Sequence, residues 1–474
     1  VTVVLKRALA WLDDRSGVIT SARHALEHPV PPRTGWWYVF GSATLIAFIL
    51  QVATGIALST SYVPSSGQAY DSLRFISEQA LLGRFLRGMH FFGASAMVLL
   101  VGIHVSRTYL MAAYKYPREL NWLTGAVLLL LTLALAFTGQ LLRWDQNAVW
   151  SVIVGAAQAG RMPVVGPDLA RFILAGDTIG GATLSRFFAF HVFFIPAVIF
   201  AFIGLHLMLV LRHGISERTR DGNLVDPATY RARYASLLQR EGVPFWPDAA
   251  WRDVVFGAAM VATIVALALV VGPPELGRPP DPSILEAYPR PDWYFLWYFA
   301  VLALTPRNLE TFIIVAGPLL FGAALLLPAF FNKGFRSVRQ RPWAALLVVF
   351  MWTTIVSFWV AGVRATWSPD FSAPPLPATV VRSTDPVVLD GVRLFREKGC
   401  EFCHAVEGYG GKRGPDLTDV RGRMSPDEMS ARITNGGPNM PAYARILTPQ
   451  QVQALVAFLS TRGAGSATGG PQRE

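Results

Sequence analysis

Residues 88–113 read GMHFFGASAMVLLVGIHVSRTYLMAA, and residues 186–211 read RFFAFHVFFIPAVIFAFIGLHLMLVL. Each run is apolar and long enough to cross about 30 Å of hydrocarbon as a helix. Each also carries two histidines: His90 and His104 lie fourteen positions apart, His191 and His206 fifteen. At about 1.5 Å rise per residue, either spacing is close to four turns and roughly 21 Å, so the imidazoles of one segment face one way at opposite depths. An imidazole in hydrocarbon is costly unless something binds it. Two such helices facing each other make two stacked bis-imidazole sites, His90 with His191 and His104 with His206.

One helix histidine alone reads as a satisfied core residue. Four at matched depth, in a chain with eight histidines, do not. Gly41 and Gly55 on one segment, and Gly125 and Gly139 on another, are again fourteen apart. A flat macrocycle lying against a helix needs room at those depths, and glycine supplies it.

Hydrophobic residues make up 52% of the 474 and charged ones 15%, and the mean hydropathy is +0.38. That is too oily for a soluble domain of this size. Seven stretches can span a bilayer, at 36–60, 88–113, 122–142, 186–211, 253–272, 310–331 and 343–363. The expected fold class is therefore all-α, a seven-helix transmembrane bundle. Basic residues cluster in the N-terminal arm (Lys6, Arg7, Arg15, Arg23, Arg33), after the second span (Arg107, Lys115, Arg118), after the fourth (Arg212 to Arg240) and after the sixth (Lys333 to Arg341). The positive-inside bias makes those four segments cytoplasmic, so the net charge of +11 reflects topology and does not call for a nucleic-acid partner. Residues 1–35 lack the apolar core of a cleavable signal and read as an amphipathic cytoplasmic arm. An odd number of spans puts everything after residue 364 on the outer, periplasmic face.

Residues 365–384, ATWSPDFSAPPLPATVVRST, are proline-rich and aperiodic, which reads as a stiff linker. The domain after it, 385–463, contains Cys400-Glu401-Phe402-Cys403-His404. This C-x-x-C-H spacing attaches a c-type haem through two thioethers, with His404 as an axial iron ligand; a disulfide or a redox C-x-x-C are the alternatives. The sixth ligand is sought among Met424, Met429 and Met440. Ser425-Pro426-Asp427-Glu428 reads as a helix N-terminus, which puts the first two in or beside a packed helix. Met440 lies in a Gly/Pro loop and is the preferred candidate. Amphipathic helices over 385–398 and 449–461 complete a small class I-like cytochrome c, and 464–474 read as a disordered tail.

With these features in place, residues 1–364 resemble cytochrome b of the Rieske/cytochrome b complexes, which include the bc and b6f types. The fifteen-residue step from His191 to His206 is similar to the b6f branch, as are Val30-Pro31-Pro32, Gln51-Val52-Ala53-Thr54-Gly55, Pro117-Arg118-Glu119-Leu120 and Trp144-Asp145-Gln146. Residues 36–242 then correspond to a four-helix di-haem part, and 243–364 to that branch's separate three-helix subunit, here fused. The resemblance implies that His90 and His191 ligate an outer, low-potential b haem, and His104 and His206 an inner, high-potential one. It also implies that Arg87 binds a haem propionate; an arginine one turn toward the surface is a natural carboxylate partner.

Pro291-Asp292-Trp293-Tyr294 matches the family's quinol-oxidation motif, with Asp where the more familiar form has Glu. Either carboxylate accepts a quinol proton, although Asp is one methylene shorter. Trp150 and Ser151 resemble the short helix roofing this pocket, and Arg212 resembles a basic residue near the inner quinone site. Val39 stands where the b6f branch has a cysteine holding an additional haem, so no such thioether-linked haem is expected. For the inner proton donor, His24, His28, Asp13 and Asp14 all remain candidates.

The resemblance thus implies a subunit of a proton-translocating quinol:cytochrome c oxidoreductase in a bacterial cytoplasmic membrane. Quinol is oxidised at the outer face, and its electrons pass to a Rieske protein and through two b haems to an inner quinone. A Rieske cluster needs two Cys and two His, and both cysteines here belong to the c-haem motif, so the Rieske protein is a separate subunit. A homodimer of the complex and an exported cytochrome c or other acceptor are the further partners implied. The rivals are a di-haem b anchor relaying electrons between quinone and a periplasmic oxidoreductase, and a non-enzymatic electron-transfer or haem-handling module.

Overall fold

The computed structural model describes residues 2–280, 290–364, 375–411, 414–436, 440, 442–444 and 446–463. The first half of the expected linker and the 464–474 tail lie outside them. Two arm helices, α1 (Thr2–Ser16) and α2 (Val18–Glu27), lead through β1 (Pro29–Val30) to the first span, α3 (Phe40–Ser59). A short α4 (Ala69–Glu78) precedes α5 (Gly83–Leu110), and α6 (Glu119–Leu141) follows. Three short helices, α7 (Gln146–Ala159), α8 (Gly166–Leu174) and α9 (Gly181–Ala189), run into α10 (Ile195–His213). After β2 (Leu224–Val225), α11 (Tyr230–Glu241) and β3 (Val243–Pro244) come α12 (Ala250–Val270), α13 (Leu296–Leu304), α14 (Arg307–Leu326), β4 (Gly334–Phe335) and α15 (Pro342–Arg364).

Among the described residues, seven helices are long and apolar enough to cross a membrane; each overlaps its sequence-predicted span, and only the fifth, which starts at Phe245 where 253 was expected, differs by more than about five residues at an end. The chain is an integral membrane protein. Small residues let the spans approach closely: a Cβ on Gly88 of α5 would lie 3.1 Å from Ala268 of α12, and Ala43 and Ala47 of α3 are buried against α5.

The fourth span is not a uniform α-helix. Between α9 and α10, Phe190–Phe194 forms a π turn that contains His191. Pro196 follows, and a proline ring clashes with the carbonyl four residues earlier unless the helix widens there. The turn explains the unequal histidine spacings. At about 100° per residue, fourteen residues fall about 40° short of whole turns and fifteen overshoot by about 60°; one extra residue in a π turn removes about 100° and restores the fourteen-residue relation.

The three-helix part is joined to the four-helix part by polar contacts at one end of the bundle. Arg336, 1% exposed, pairs with Glu217 at 2.7 Å, and Tyr230 donates to the other Glu217 oxygen at 2.7 Å. Burial acts to raise the Glu217 carboxyl, but Arg336 and Tyr230 outweigh it and hold it below its ordinary range. Asn332 donates to Glu119 at 2.7 Å, Trp352 to Ser106 at 3.0 Å, and Lys115 to the Lys333 carbonyl. Two antiparallel pairings close the seam, β1 with β3 and β2 with β4.

The C-terminal part contains α16 (Ala378–Val381), α17 (Pro386–Glu397), the hairpin of β5 (Ala405–Val406) and β6 (Tyr409–Gly410), α18 (Val420–Arg423), α19 (Pro426–Asn435) and α20 (Pro449–Ser460). Each longer helix starts on a side-chain cap: Asp385 accepts from Val387 N, and Ser425/Glu428 and Thr448/Gln451 form capping boxes. Leu394, Phe395, Leu455 and Phe458 form its buried core.

Candidate functional site

Two cavities lie along the four-helix half. One, of about 650 Å³, is lined by His90 and His191 together with Gly55, Gly139, Tyr62, Arg87, Arg143, Asp292 and Tyr294. The other, of about 450 Å³, is lined by His104 and His206 with Gly41, Gly125, Tyr38, Ser42, Arg107, Arg118 and Asp253. The structure therefore brings the four histidines together in the pairs expected from depth.

The rings of His90 and His191 approach edge-on, their planes 76° apart and their centroids 6.2 Å apart. A metal held about 2 Å from one nitrogen of each ring separates the centroids by roughly 6 Å. The other nitrogens are already engaged. Thr54 Oγ1 lies 2.9 Å from His90 Nδ1, Thr124 Oγ1 2.9 Å from His206 Nδ1, and Thr138 Oγ1 3.2 Å from His191 Nδ1. His191 Nδ1 also lies 3.1 Å from the Leu135 carbonyl. Such partners fix the tautomer and leave Nε2 to bind a metal. These threonines were not among the sequence candidates, yet each directly precedes one of the spaced glycines; at Gly41 the preceding residue is Phe40.

The glycines clear space for the imidazoles themselves. A Cβ would lie 2.6 Å from His191 at Gly139, 3.0 Å from His104 at Gly41, 3.3 Å from His90 at Gly55 and 3.4 Å from His206 at Gly125. Each cavity also holds guanidinium groups. Arg87 donates to Ser77 Oγ at 3.0 Å and to the Pro274 carbonyl at 2.7 Å. Arg107 stacks 3.9 Å over the Tyr38 ring, and its Nε and Nη2 are buried without a hydrogen-bond partner among the described residues. A buried guanidinium with free donors calls for an anion. Paired imidazoles, glycine clearances and cationic ends fit a porphyrin with carboxylate side chains in either cavity.

Asp292 and Tyr294 sit together at the His90–His191 cavity. Tyr294 donates to Asp292 Oδ2 at 2.9 Å, and Arg143 Nη1 lies 3.2 Å from Oδ1. Burial, reinforced by the Asp292 carboxylate, holds the Tyr294 phenol well above its ordinary range, so it stays a donor. The motif is positioned by α7 and the end of α6. Asn147 donates to the Arg290 carbonyl at 2.7 Å and accepts from Arg290 N at 2.6 Å, while Gln140 accepts from Asp292 N at 3.4 Å and donates to Ser151 Oγ at 3.0 Å. Ser151 thus reaches Asp292 through Gln140, and Trp150 is buried beside it.

In the other cavity Ser42 donates to Asp253 at 2.5 Å. Asp253 was also missed from the sequence; a carboxylate just inside an apolar span is itself a signal of function. Arg212 is exposed at the end of α10 and outside the lining, where Arg107, Arg118 and Arg252 stand instead. Of the four arm candidates, Asp13 bonds Thr20 and Asp14 pairs with Arg15. His24 is exposed. His28 stacks at 5.3 Å on Phe245, which does line the cavity, but none of the four lines it.

Residues 25–214 match the family model for cytochrome b/b6/petB, and 286–372 match that for cytochrome b(C-terminal)/b6/petD. The chain is 30% identical to cytochrome b of Allochromatium vinosum over 372 residues, 76% of this chain and 87% of that protein. The chain belongs to the cytochrome b family. Its first part is 39% identical to cytochrome b6 of Heliobacterium modesticaldum, covering 44% of this chain and 98% of the relative. It is also 34% identical to the menaquinol:cytochrome c reductase cytochrome b subunit of Geobacillus thermodenitrificans, covering 45% and 99%. Among solved structures it is similar to a hyperthermophilic respiratory Complex III, with a TM-score of 0.63 and 26% identity over 75% of this chain and 91% of the other.

Joined to this cytochrome b is a cytochrome c domain. Residues 386–459 match the family model for cytochrome c oxidase, cbb3-type, subunit III. His404 Nδ1 lies 2.8 Å from the Pro415 carbonyl, which leaves Nε2 for a metal. A Cβ on Gly414 would lie 2.5 Å from the same ring. Cys400 and Cys403 are not joined in a disulfide. Burial pushes the Cys400 thiol up to about 12, unlike the lowered thiol of a redox C-x-x-C. Met429 is buried in the core on α19, whereas Met424 and Met440 are partly buried at its edge.

Proposed function

We propose that this chain is the cytochrome b/c subunit of a quinol:cytochrome c oxidoreductase. One observation carries the reading: Asp292 and Tyr294 line the same cavity as His90 and His191, so a proton acceptor and a redox site share one space. Haems bound by His90/His191, by His104/His206, and by His404 with Cys400, Cys403 and Met440 supply one-electron carriers at two membrane depths and on the exported domain.

The chain's residues handle the protons. Asp292 Oδ2 accepts a quinol hydroxyl proton after Tyr294 yields its place, and Ser151 and Gln140 hold the backbone of the motif. At the opposite end, Asp253 with Ser42 returns a proton to bound quinone, next to the cations of Arg107 and Arg252. Release at one end and uptake at the other couple turnover to proton translocation. The other half of quinol oxidation belongs to a separate Rieske subunit, and electrons leave through the cytochrome c domain to an exported acceptor. The complex is a homodimer.

The test uses the intact complex, a short-chain quinol and a soluble c-type cytochrome as acceptor. Asp292→Asn keeps the size but not the basicity, so turnover drops at least ~10-fold while both b haems remain bound; Asp292→Glu retains most of it. Wild-type turnover of Asp292→Asn across roughly pH 5.5 to 8 would exclude the carboxylate as acceptor.

A further inference from the structure

We propose that Arg143 is a positioning residue which ties the proton-accepting carboxylate to the redox site of the His90–His191 cavity; this rests on the quinol-oxidation reading of Asp292. Arg143 follows α6, on which Gly139 clears His191, and it lines the cavity together with both histidines, Arg87 and Asp292. Its Nη1 is 3.2 Å from Asp292 Oδ1, and its Nε is 4.0 Å from Asp145 Oδ2. Its Nη2 is buried and has no hydrogen-bond partner among the described residues.

Three consequences follow from this placement. First, both Asp292 oxygens are occupied, Oδ1 by a cation and Oδ2 by the neutral Tyr294 hydroxyl. A close, largely buried ion pair holds more strongly than a neutral hydrogen bond. The incoming quinol therefore displaces Tyr294 and leaves Arg143 in place: the quinol O–H bond breaks, an Oδ2–H bond forms, and the carboxyl stays anchored through Oδ1.

Second, Arg143 compensates for the short side chain. An aspartate reaches one methylene less far than a glutamate, and the long guanidinium arm from just beyond α6 fixes where that shorter carboxylate stands. Third, Arg143 and Arg87 put two cations on the wall of one cavity. Two guanidinium groups there favour an anion between them. The unpartnered Nη2 is the donor available to a carboxylate of the group that His90 and His191 bind. One guanidinium then touches both the proton acceptor and the redox group, so charge added to the redox site is felt at Asp292.

The experiment compares Arg143→Gln, Arg143→Lys, Asp292→Asn and the Arg143→Gln/Asp292→Asn double variant in the intact complex, by redox-titrated spectra and by quinol turnover. Loss of the cation disfavours the reduced state, so Arg143→Gln lowers the midpoint of the b haem at His90 and His191 and leaves that at His104 and His206 unchanged. Arg143→Lys restores the midpoint, because it keeps the charge. The double variant is slowed by less than the product of the single effects, because part of the Arg143 effect runs through Asp292. An unchanged midpoint in Arg143→Gln, or a double variant slowed by the product of the single effects, overturns the proposal. Wild-type turnover of Asp292→Asn alone overturns the reading of Asp292 instead, and the midpoint shift still decides whether Arg143 serves the redox site.

Discussion

At Gly139 a single methyl group would sit 2.6 Å from His191 Cε1, inside the separation that real side chains keep. Gly139→Ala therefore pushes the ring off its axis, and the b haem of that cavity is lost or its spectrum shifts while the His104–His206 haem stays. Gly204→Ala, where an added Cβ would meet nothing within 4 Å beyond its own helix backbone, leaves both spectra intact and serves as the control. At this scale the sequence was legible wherever cost reveals purpose. Four histidines in hydrocarbon and four matched glycines admit few explanations. Arg143 was not legible as a site residue because its meaning depends on Asp292, a partner from a distant segment, whereas Asp253 carried the signal of a carboxylate inside an apolar span but not its partner Ser42. Arg212 was named from the resemblance, and its side chain is exposed at the end of α10 and outside the cavity lining.

The fourth span shows what periodicity alone leaves out. Both histidine spacings are near four turns, but a regular helix would set the fifteen-residue pair about 100° away from the fourteen-residue pair. The π turn at Phe190–Phe194 removes that difference. Inserting one alanine after Phe200 therefore rotates His206 by about 100° relative to His191. The b haem at His104 and His206 is lost while that at His90 and His191 remains reducible by quinol, as spectra of the purified variant would record. Deleting Phe193 instead lets the π turn close to an α turn and keeps both haems. Caps were easier to read. The Ser425 and Thr448 capping boxes stand where the sequence placed helix starts, because the signal and its partner lie within one turn.

For the whole molecule, pyridine-haemochrome analysis should return two b haems and one c haem per chain. Replacing Met440 by a non-coordinating residue should lower the c-haem midpoint and remove the near-infrared sulfur-to-iron band; a persisting band would transfer the role to Met424 or Met429. A separate test concerns the seam. The Glu217 carboxyl is held low, so its contribution to stability is present above the unfolded carboxyl range and is lost as pH falls through the folded value. Glu217→Gln leaves Arg336 buried without its counter-charge and costs about 3 kcal/mol. The loss, followed by thermal unfolding of the purified complex, is full at neutral pH and fades below about pH 4.

The same seam changes how the join between the two parts is understood. Arg336 with Glu217, Asn332 with Glu119, Trp352 with Ser106 and the β1–β3 pairing all bridge it, whereas the chain itself crosses once, past the exposed end of α11 at Arg240 and Glu241. A protease nick after Arg240 would thus yield two fragments that still migrate, bind and turn over as one. The covalent join guarantees equal dosage of the two halves at synthesis; their cohesion is set by the interface.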